Sequence, residues 1–179
     1  AQALNTSLSK RYRGVVCRIM TSMALRDNLA QGESYFVVEA KSLKRILEAS
    51  REKTPLLCVI DEVLRGTNTT ERIAASESVL AALRRALPIC ANVLCLAATH
   101  DTELTYLLED LYTNYHFEEQ ITAQSISFPY RLEQGPARGK NAIALLGNMG
   151  IDEKIVKQAE RRAAEFETTG SWEKNKFLR

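Results

Sequence analysis

Residues 54–72, TPLLCVIDEVLRGTNTTER, narrow the choice of fold more than any other stretch. Apolar residues 56–60 run without polar alternation, as is typical of a strand covered on both faces in a parallel sheet. Two acids, Asp61 and Glu62, follow at once, and a Gly/Thr/Asn turn comes next. Charge at a strand tip is unfavourable unless a cation or a chemical task lies there. The stretch therefore predicts a buried strand that delivers two carboxylates to a ligand site.

Similar strands alternate with helices through the first two thirds of the chain. The other two predicted strands are GVVCRIMTSM, residues 14–23, and the buried NVLCLAATH, residues 92–100. Apolar residues at helical spacing predict two helices between the strands. One begins at Tyr35 and carries Phe36, Ala40, Leu43, Ile46 and Leu47; the other lies within residues 70–87 and carries Ile73, Ser76, Val79, Leu80 and Leu83. This alternation predicts an α/β fold with a largely parallel sheet.

The rest of the chain predicts smaller elements. DTELTYLLEDL is a short helix with Asp101 or Thr102 as its N-cap. The alternating stretches 112–121 and 125–134 predict an antiparallel pair of strands. KNAIALLGNMG and DEKIVKQAERRAAEFE predict two closing helices, separated by a turn at Gly150.

Composition is typical of an ordinary globular protein and argues against a membrane protein or one built on disulfides. The 179 residues are 45% hydrophobic and 26% charged, which is ordinary for one globular domain with a core. A net charge of +2 argues neither for nor against nucleic acid. No apolar run approaches the roughly 20 residues of a membrane span, and we expect neither a signal peptide nor contact with a membrane. The four cysteines form no C-x-x-C pair, which favours a reducing compartment, the cytoplasm, as the location of the protein.

Candidate site residues lie where the predicted strands end. Ligands of open parallel sheets bind at the carboxyl ends of the strands, and both Asp61-Glu62 and Thr99-His100 fall there. Four apolar residues followed by Asp-Glu form the Walker B pattern, in which Asp61 coordinates Mg²⁺ and Glu62 polarises the attacking water. The alternative is a solvated acidic strand end. His100 is interpreted as a γ-phosphate sensor or, alternatively, as a capping or core histidine.

A further candidate lies upstream, in QGESYF. Gly32 and Ser34 precede a helix, whose first backbone N–H groups, with the serine hydroxyl, form a natural anion site. The alternative is an ordinary N-cap.

The order of these motifs resembles the ATPase domain of the MutS family, within the ABC-type ATPases. The segments that carry the resemblance are GESYFVVE, LLCVIDEVLRGTNTTE, AATHDTEL and GKNAIALLGNMGIDEKIVKQA. The chain looks nearest to the shorter bacterial MutS-like proteins. The resemblance implies a P-loop NTPase-like, ABC-class fold, with a mostly parallel sheet flanked by helices. It places the C-terminal part of the ATPase domain at residues 1–170. The remaining tail, residues 171–179, has no clear pattern, and its Trp172 either docks on a partner or lies in a frayed end.

The resemblance also implies roles for residues. Asp61 would bind Mg²⁺, Glu62 would activate water, and His100 would be the switch. Ser34, in the signature loop with Gly32, would reach the γ-phosphate of a partner subunit's ATP. The residues implied to communicate across the dimer are Arg65, Gly66, Thr67 and Asn68. The implied assembly is a head-to-tail homodimer that uses ATP and Mg²⁺ and acts on DNA through the full-length protein.

The match is incomplete at the phosphate-binding loop. No G-x-x-x-x-G-K-[ST] occurs in the sequence, and GPARGKN, residues 135–141, has the wrong spacing. The resemblance implies that this Walker A segment precedes Ala1, and the start without methionine agrees with a piece of a longer protein. Without that loop the chain alone is predicted to bind ATP weakly or not at all, and to be inactive. In addition, Asn68 stands where relatives often have Ser.

Two other functions remain open from the sequence. One is a dimerisation scaffold of the same fold that has lost hydrolysis. The other is a different ABC-type ATPase, acting in recombination or chromosome structure. Such enzymes carry an LSGGQ-like signature, from which QGESY departs.

Overall fold

The structure, a computed structural model, describes residues 14–23, 34–85, 92–118, 120–121, 126–127, 129–137 and 141–174. Gly32 and residues 175–179 of the predicted tail lie outside this set. The chain divides into two compact units, Ala1–Tyr112 and Thr113–Arg179.

The first unit contains a three-stranded parallel sheet whose strand order follows the chain. Its elements are β1 (Arg18–Ser22), α1 (Tyr35–Ala49), β2 (Leu56–Asp61), α2 (Thr69–Arg85), β3 (Val93–Ala98) and α3 (Thr102–Leu107). The predicted parallel α/β arrangement is confirmed.

Strand β1 is shorter than predicted. It begins at Arg18, and Val15 and Val16 before it are 77% and 97% exposed. The reason lies in its partner strand, because Arg18 pairs with Leu56 and the residue before Leu56 is Pro55. Pro55 has no N–H to donate to the neighbouring strand, so the pairing of β1 with β2 begins one residue later, at Arg18 and Leu56. The prediction of a strand over residues 14–23 was therefore too long.

The core lies on one face of the sheet. Because the strand order follows the chain, right-handed crossovers place α1 and α2 on the same face. The alternate residues Leu56, Cys58 and Ile60 of β2 are at most 2% exposed there. Cys58 and Ile60 pack with apolar side chains from the helices and from the turn after β2, namely Leu43, Ile46, Val63, Leu64, Leu80, Leu83, Leu104 and Leu108.

The opposite face of the sheet is exposed at its two outer strands. Ile19, Leu94 and Leu96, which share this face by register, are 50%, 61% and 54% exposed. The prediction that residues 92–100 form a buried strand is therefore wrong for this structure, whereas Leu57 and Val59 of β2, on the same face, are half-buried. An apolar run such as NVLCLAATH records the hydrophobicity of both faces, but it does not say whether each face has a partner.

The second unit consists of hairpin strands followed by two helices. Its elements are β4 (Tyr115–Phe117), β5 (Gln120–Ile121), β6 (Ile126–Ser127), β7 (Leu132–Gln134), α4 (Ala142–Asn148) and α5 (Glu153–Thr169). Strands β4 and β7 pair antiparallel, as predicted, and so do β5 and β6. Gly150 has a φ of +85° in the turn between the helices, a conformation that glycine adopts readily.

Trp172 and Glu173, shortly after α5, contact that helix. The ring of Trp172 stacks on Phe166 with centroids 4.5 Å apart, and the Arg162 guanidinium lies 5.6 Å from the Trp172 ring centre. The first residues of the predicted tail therefore contact α5, since Arg162 also donates a hydrogen bond to the Glu173 carbonyl. None of the described helices is both apolar enough and long enough to cross a membrane.

Candidate functional site

The two acids emerge where β2 meets the end of β3. Asp61 is the last residue of β2 and pairs in register with Ala98. The amide of Glu62 donates a hydrogen bond to the Ala98 carbonyl, at 2.9 Å, so one further residue is aligned with β3. Both carboxylates thus lie at the carboxyl edge of the sheet, beside the turn that carries His100.

Glu62 has a partner for each of its carboxylate oxygens. One oxygen forms an ion pair with Nε of Arg65, and the other lies 3.2 Å from Nε2 of His100. The Glu62 side chain is 24% exposed, whereas the imidazole of His100 is 91% exposed. The structure therefore brings together three predicted site residues, with Glu62 at the centre and His100 facing solvent.

Asp61 is held more loosely than its neighbour. Its side chain is 49% exposed, and its nearest cation, an Arg65 nitrogen, is 3.9 Å away. Within the described residues, no three His, Cys, Asp or Glu side chains gather into a metal site of their own. A Mg²⁺ ion usually takes one or two carboxylates and completes its shell with phosphate oxygens and water. The exposed Asp61 carboxylate fits that role.

The turn after β2 has an unusual backbone. Glu62 and Leu64 adopt φ values of +52° and +59°, which are unfavourable for residues with a Cβ atom. Two buried side chains hold this turn: Glu39 Oε1 accepts the Leu64 N–H at 2.5 Å, and Ser76 Oγ donates to the Val63 carbonyl at 3.2 Å. The shape of the turn thus depends on α1 and α2.

Glu39 was missed in the sequence analysis. It is 1% exposed and lies on the buried stripe of α1 with Ser42, Leu43 and Ile46. Phe36, which the pattern placed on that stripe, is 38% exposed. The available signal was a single acid in register with apolar positions three and four residues away, because such an acid needs a specific partner when it is buried.

Burial raises the pKa of the Glu39 carboxyl above its ordinary value. The amides of Leu64 and Arg65 and the Arg65 charge act in the opposite direction, and the charge of Glu62 adds to the increase. The pKa of the Tyr35 hydroxyl is also raised, mainly by burial and then by the negative charges of Glu39, Glu62 and Asp61. The first turns of α1 therefore lie within electrostatic reach of the two site acids.

Gly66 lies against α1. A Cβ atom at Gly66 would lie 3.0 Å from Cβ of Phe36, which is tighter than an ordinary contact. The absence of a side chain at this position therefore lets the turn approach the helix.

Thr67 and Asn68 organise the start of α2. Asn68 Oδ1 accepts the Glu71 N–H at 3.0 Å, the geometry of an N-cap, and Thr67 donates its hydroxyl to the Glu71 carboxylate at 2.9 Å. The structure thus gives these two predicted site residues a role in capping the helix.

A partly buried ion pair connects α2 to the turn that carries His100. Arg72 donates two hydrogen bonds to the Asp101 carboxylate, at 2.9 and 2.5 Å. This contact raises the pKa of the Arg72 guanidinium. Asp101 occupies the N-cap position of α3, as one alternative predicted, but its side chain binds Arg72 instead of capping the helix. The local sequence pattern does not distinguish Arg72 from an ordinary surface arginine.

Ser34 occupies the N-cap position of α1. Its backbone carbonyl accepts the Val38 N–H, at 3.2 Å. The side chain is exposed, and its hydroxyl makes no capping hydrogen bond within the described helix. Gly32, its predicted companion in an anion site, is outside the described residues.

Comparisons with known proteins match most of the chain. Residues 9–167 match the family model described as MutS domain V. The DNA mismatch repair protein MutS 2 of Haloarcula marismortui is 30% identical over 156 residues, covering 86% of this chain and 16% of that protein. The DNA mismatch repair protein MutS of Aquifex pyrophilus is 32% identical over 155 residues, covering 86% and 17%. The corresponding protein of Natronomonas pharaonis is 32% identical over 145 residues, covering 80% and 16%.

The match covers most of this chain but only a small part of each relative. The chain spans about a sixth of the length of these curated relatives.

Proposed function

The chain belongs to the MutS family, through its match to domain V, and we propose that it is part of an ATP-hydrolysing domain in a MutS-like DNA mismatch repair protein. The observation that carries the proposal is the position of Glu62. Its carboxylate lies between Arg65 and His100 at the carboxyl edge of a parallel sheet, directly after the exposed Asp61. Ligand sites of open α/β folds lie at this edge.

Each acid then has a separate task. Asp61 would hold Mg²⁺ through its exposed carboxylate; when bound, the ion neutralises charge on the phosphate oxygens. Glu62 would accept a hydrogen bond from the attacking water and orient it, since a carboxylate oxygen is a suitable acceptor. His100, 91% exposed and in contact with Glu62, would hold that carboxylate in place and face the terminal phosphate.

The assembly belongs to the same proposal. The exposed Ser34 hydroxyl, which does not cap its own helix, is available to the nucleotide of a second subunit in a head-to-tail dimer. Residues 65–68, in the turn after β2, would also face the partner subunit and take part in communication across the dimer. Action on DNA is proposed because the matched relatives are named DNA mismatch repair proteins.

One observation favours a second candidate, a dimerisation scaffold without hydrolysis. Both oxygens of Glu62 are already engaged, by Arg65 and by His100, as they would be in a purely structural ion pair. The third function considered from the sequence, a recombination or chromosome-structure ATPase, is not supported by the family match.

The test is the Glu62→Gln variant of the full-length protein. If Glu62 orients the attacking water, kcat for ATP falls by about 100-fold or more, as is usual for loss of a general base. Binding of ATP with Mg²⁺ should persist, because Asp61 remains. Glu52→Gln is the matched control, since it removes a carboxylate paired with Arg18 at the opposite edge of the sheet.

The two candidate functions predict different results in this experiment. Wild-type turnover that is lost in Glu62→Gln and kept in Glu52→Gln supports the enzyme. A wild-type protein that dimerises and shows no ATP turnover supports the scaffold.

A further inference from the structure

The turn that presents Glu62 is unfavourable on its own. Glu62 and Leu64 both have side chains and positive φ values, of 52° and 59°. Residues persist in this region of conformational space only when their surroundings hold them there. The turn therefore needs specific contacts, and the ladder contact of the Glu62 amide with Ala98 supports only its first residue.

The contacts come from buried polar side chains on two helices. Glu39, 1% exposed, accepts the Leu64 N–H, and Ser76, with no exposure, donates to the neighbouring Val63 carbonyl. The bond from Glu39 is the shorter of the two, at 2.5 Å against 3.2 Å.

A buried carboxylate is a costly way to satisfy one amide. Taking Glu39 out of water is unfavourable, and its second oxygen, Oε2, is buried with no hydrogen-bond partner among the described residues. An apolar side chain of similar volume would avoid this cost, but it would leave the buried Leu64 N–H without its acceptor. The carboxylate at residue 39 is therefore matched to the local conformation of the turn.

We propose that Glu39 is a positioning residue for Glu62, which it holds between Arg65 and His100 by fixing the Leu64 backbone. Without an acceptor at residue 39, the Leu64 amide has to rotate towards water or another partner. That rotation changes the dihedral angles next to Glu62 and moves its carboxylate away from His100. The consequence for turnover rests on the proposed function, but the consequence for the turn does not.

The test uses two substitutions at Glu39 in the full-length protein. Glu39→Leu fills the same space without an acceptor, and Glu39→Gln keeps a carbonyl oxygen that can accept the Leu64 N–H. Ser42→Ala is the matched control, since Ser42 is equally buried on α1 and its hydroxyl binds the Thr21 carbonyl in β1. Two quantities are measured: amide hydrogen exchange of a peptide spanning residues 61–66, and kcat and KM for ATP.

In Glu39→Leu, exchange in residues 61–66 should accelerate about tenfold or more, because the Leu64 amide loses its protection. Its kcat should fall by about 100-fold with little change in KM, as expected for a misplaced catalytic group. The melting temperature should change little, because the lost acceptor of the Leu64 amide offsets the relief of burying a carboxylate. A merely structural role would instead lower the melting temperature together with turnover. Glu39→Gln should restore both quantities towards wild type, and Ser42→Ala should leave both near wild type.

Unchanged exchange in residues 61–66 of Glu39→Leu would overturn the proposal. So would faster exchange with an unaffected kcat, in a protein whose kcat is abolished by Glu62→Gln. If the wild type has no ATP turnover, the proposed function fails, and the exchange comparison alone decides whether Glu39 holds the turn. If Glu39→Leu does not fold, Glu39→Met, which also lacks an acceptor, replaces it and is judged by the same exchange measurement.

Discussion

At the scale of single residues, the two adjacent acids differ in environment because the backbone turns sharply between them. Asp61 still belongs to β2, with an extended conformation, and its side chain is half exposed. Glu62 has a φ of +52°, which redirects its side chain towards Arg65 and His100. One carboxylate is thus available to an external cation while its neighbour is held by groups of the protein.

Glu39 gives a prediction for the dependence of stability on pH. Burial raises the pKa of Glu39 above its ordinary value of 4.5, so the folded state keeps the proton to higher pH than the unfolded state does. Between those two pKa values the folded state binds more protons, and stability decreases as pH rises. Below both values the group is protonated in either state and has no effect.

The measurement is urea unfolding of wild type and Glu39→Gln across this pH range. The free energy of unfolding of wild type, relative to Glu39→Gln, should decline as pH increases above about 4.5 and then level off. Glu48→Gln serves as the control for removing a carboxylate from the same helix. A relative stability that increases with pH would contradict the prediction.

At the scale of elements, the start of α2 is the point where the parts of the site are joined. Asn68 and Thr67 cap the helix through Glu71, and one residue later Arg72 binds Asp101 in the turn after β3. Arg72 thus contacts the turn after β3, and His100 of that same turn contacts Glu62 at the end of β2. A change at the start of α2 is therefore expected to reach the His100 turn.

The Arg72–Asp101 pair should contribute measurably to stability. Its side chains are only 25% and 15% exposed and form two hydrogen bonds, so we expect a coupling of about 1.5–3 kcal/mol. A double-mutant cycle with Arg72→Met and Asp101→Asn, followed by chemical unfolding, measures it. The exposed Arg18–Glu52 pair is the matched control, with an expected coupling of about 0–1 kcal/mol. Equal coupling energies for the two pairs would show that burial of Arg72–Asp101 has no effect.

At the scale of the whole molecule, the sheet of the first unit has two unequal faces. Core residues such as Leu83 are 1% exposed, whereas Leu94 on the opposite face of β3 is 61% exposed. The same type of side chain therefore contributes differently to stability according to the face on which it lies.

A pair of identical substitutions measures this difference in the 179-residue chain. Leu83→Ala should reduce the free energy of unfolding by about 2–5 kcal/mol, since it leaves a cavity in the core. Leu94→Ala should reduce it by less than about 1 kcal/mol, because most of that side chain is already in water. Urea unfolding of both variants gives the comparison, and similar losses would indicate that the face with Leu94 is covered in solution.

Much of the fold was predictable from local patterns. The end of β2 at Asp61, the start of α1 at Tyr35 and the antiparallel pairing of β4 with β7 all agree with the sequence. Of the site, the pattern identified Asp61, Glu62 and His100 as residues at strand ends. Such features follow from hydrophobic periodicity and from the position of polar residues relative to it, both of which are local.

Other features depended on contacts between distant parts of the chain. The chain itself specified which residues form strands and helices, because backbone preference and periodicity act over a few residues. Only the folded structure decided that Glu39 holds Leu64, that Arg72 pairs with Asp101, and that the side chain of Leu94 is exposed. These partners are separated by 25 and 29 positions. The packing of whole elements decides which side chains meet across such distances. The sequence pattern around any one residue contains no information about that packing.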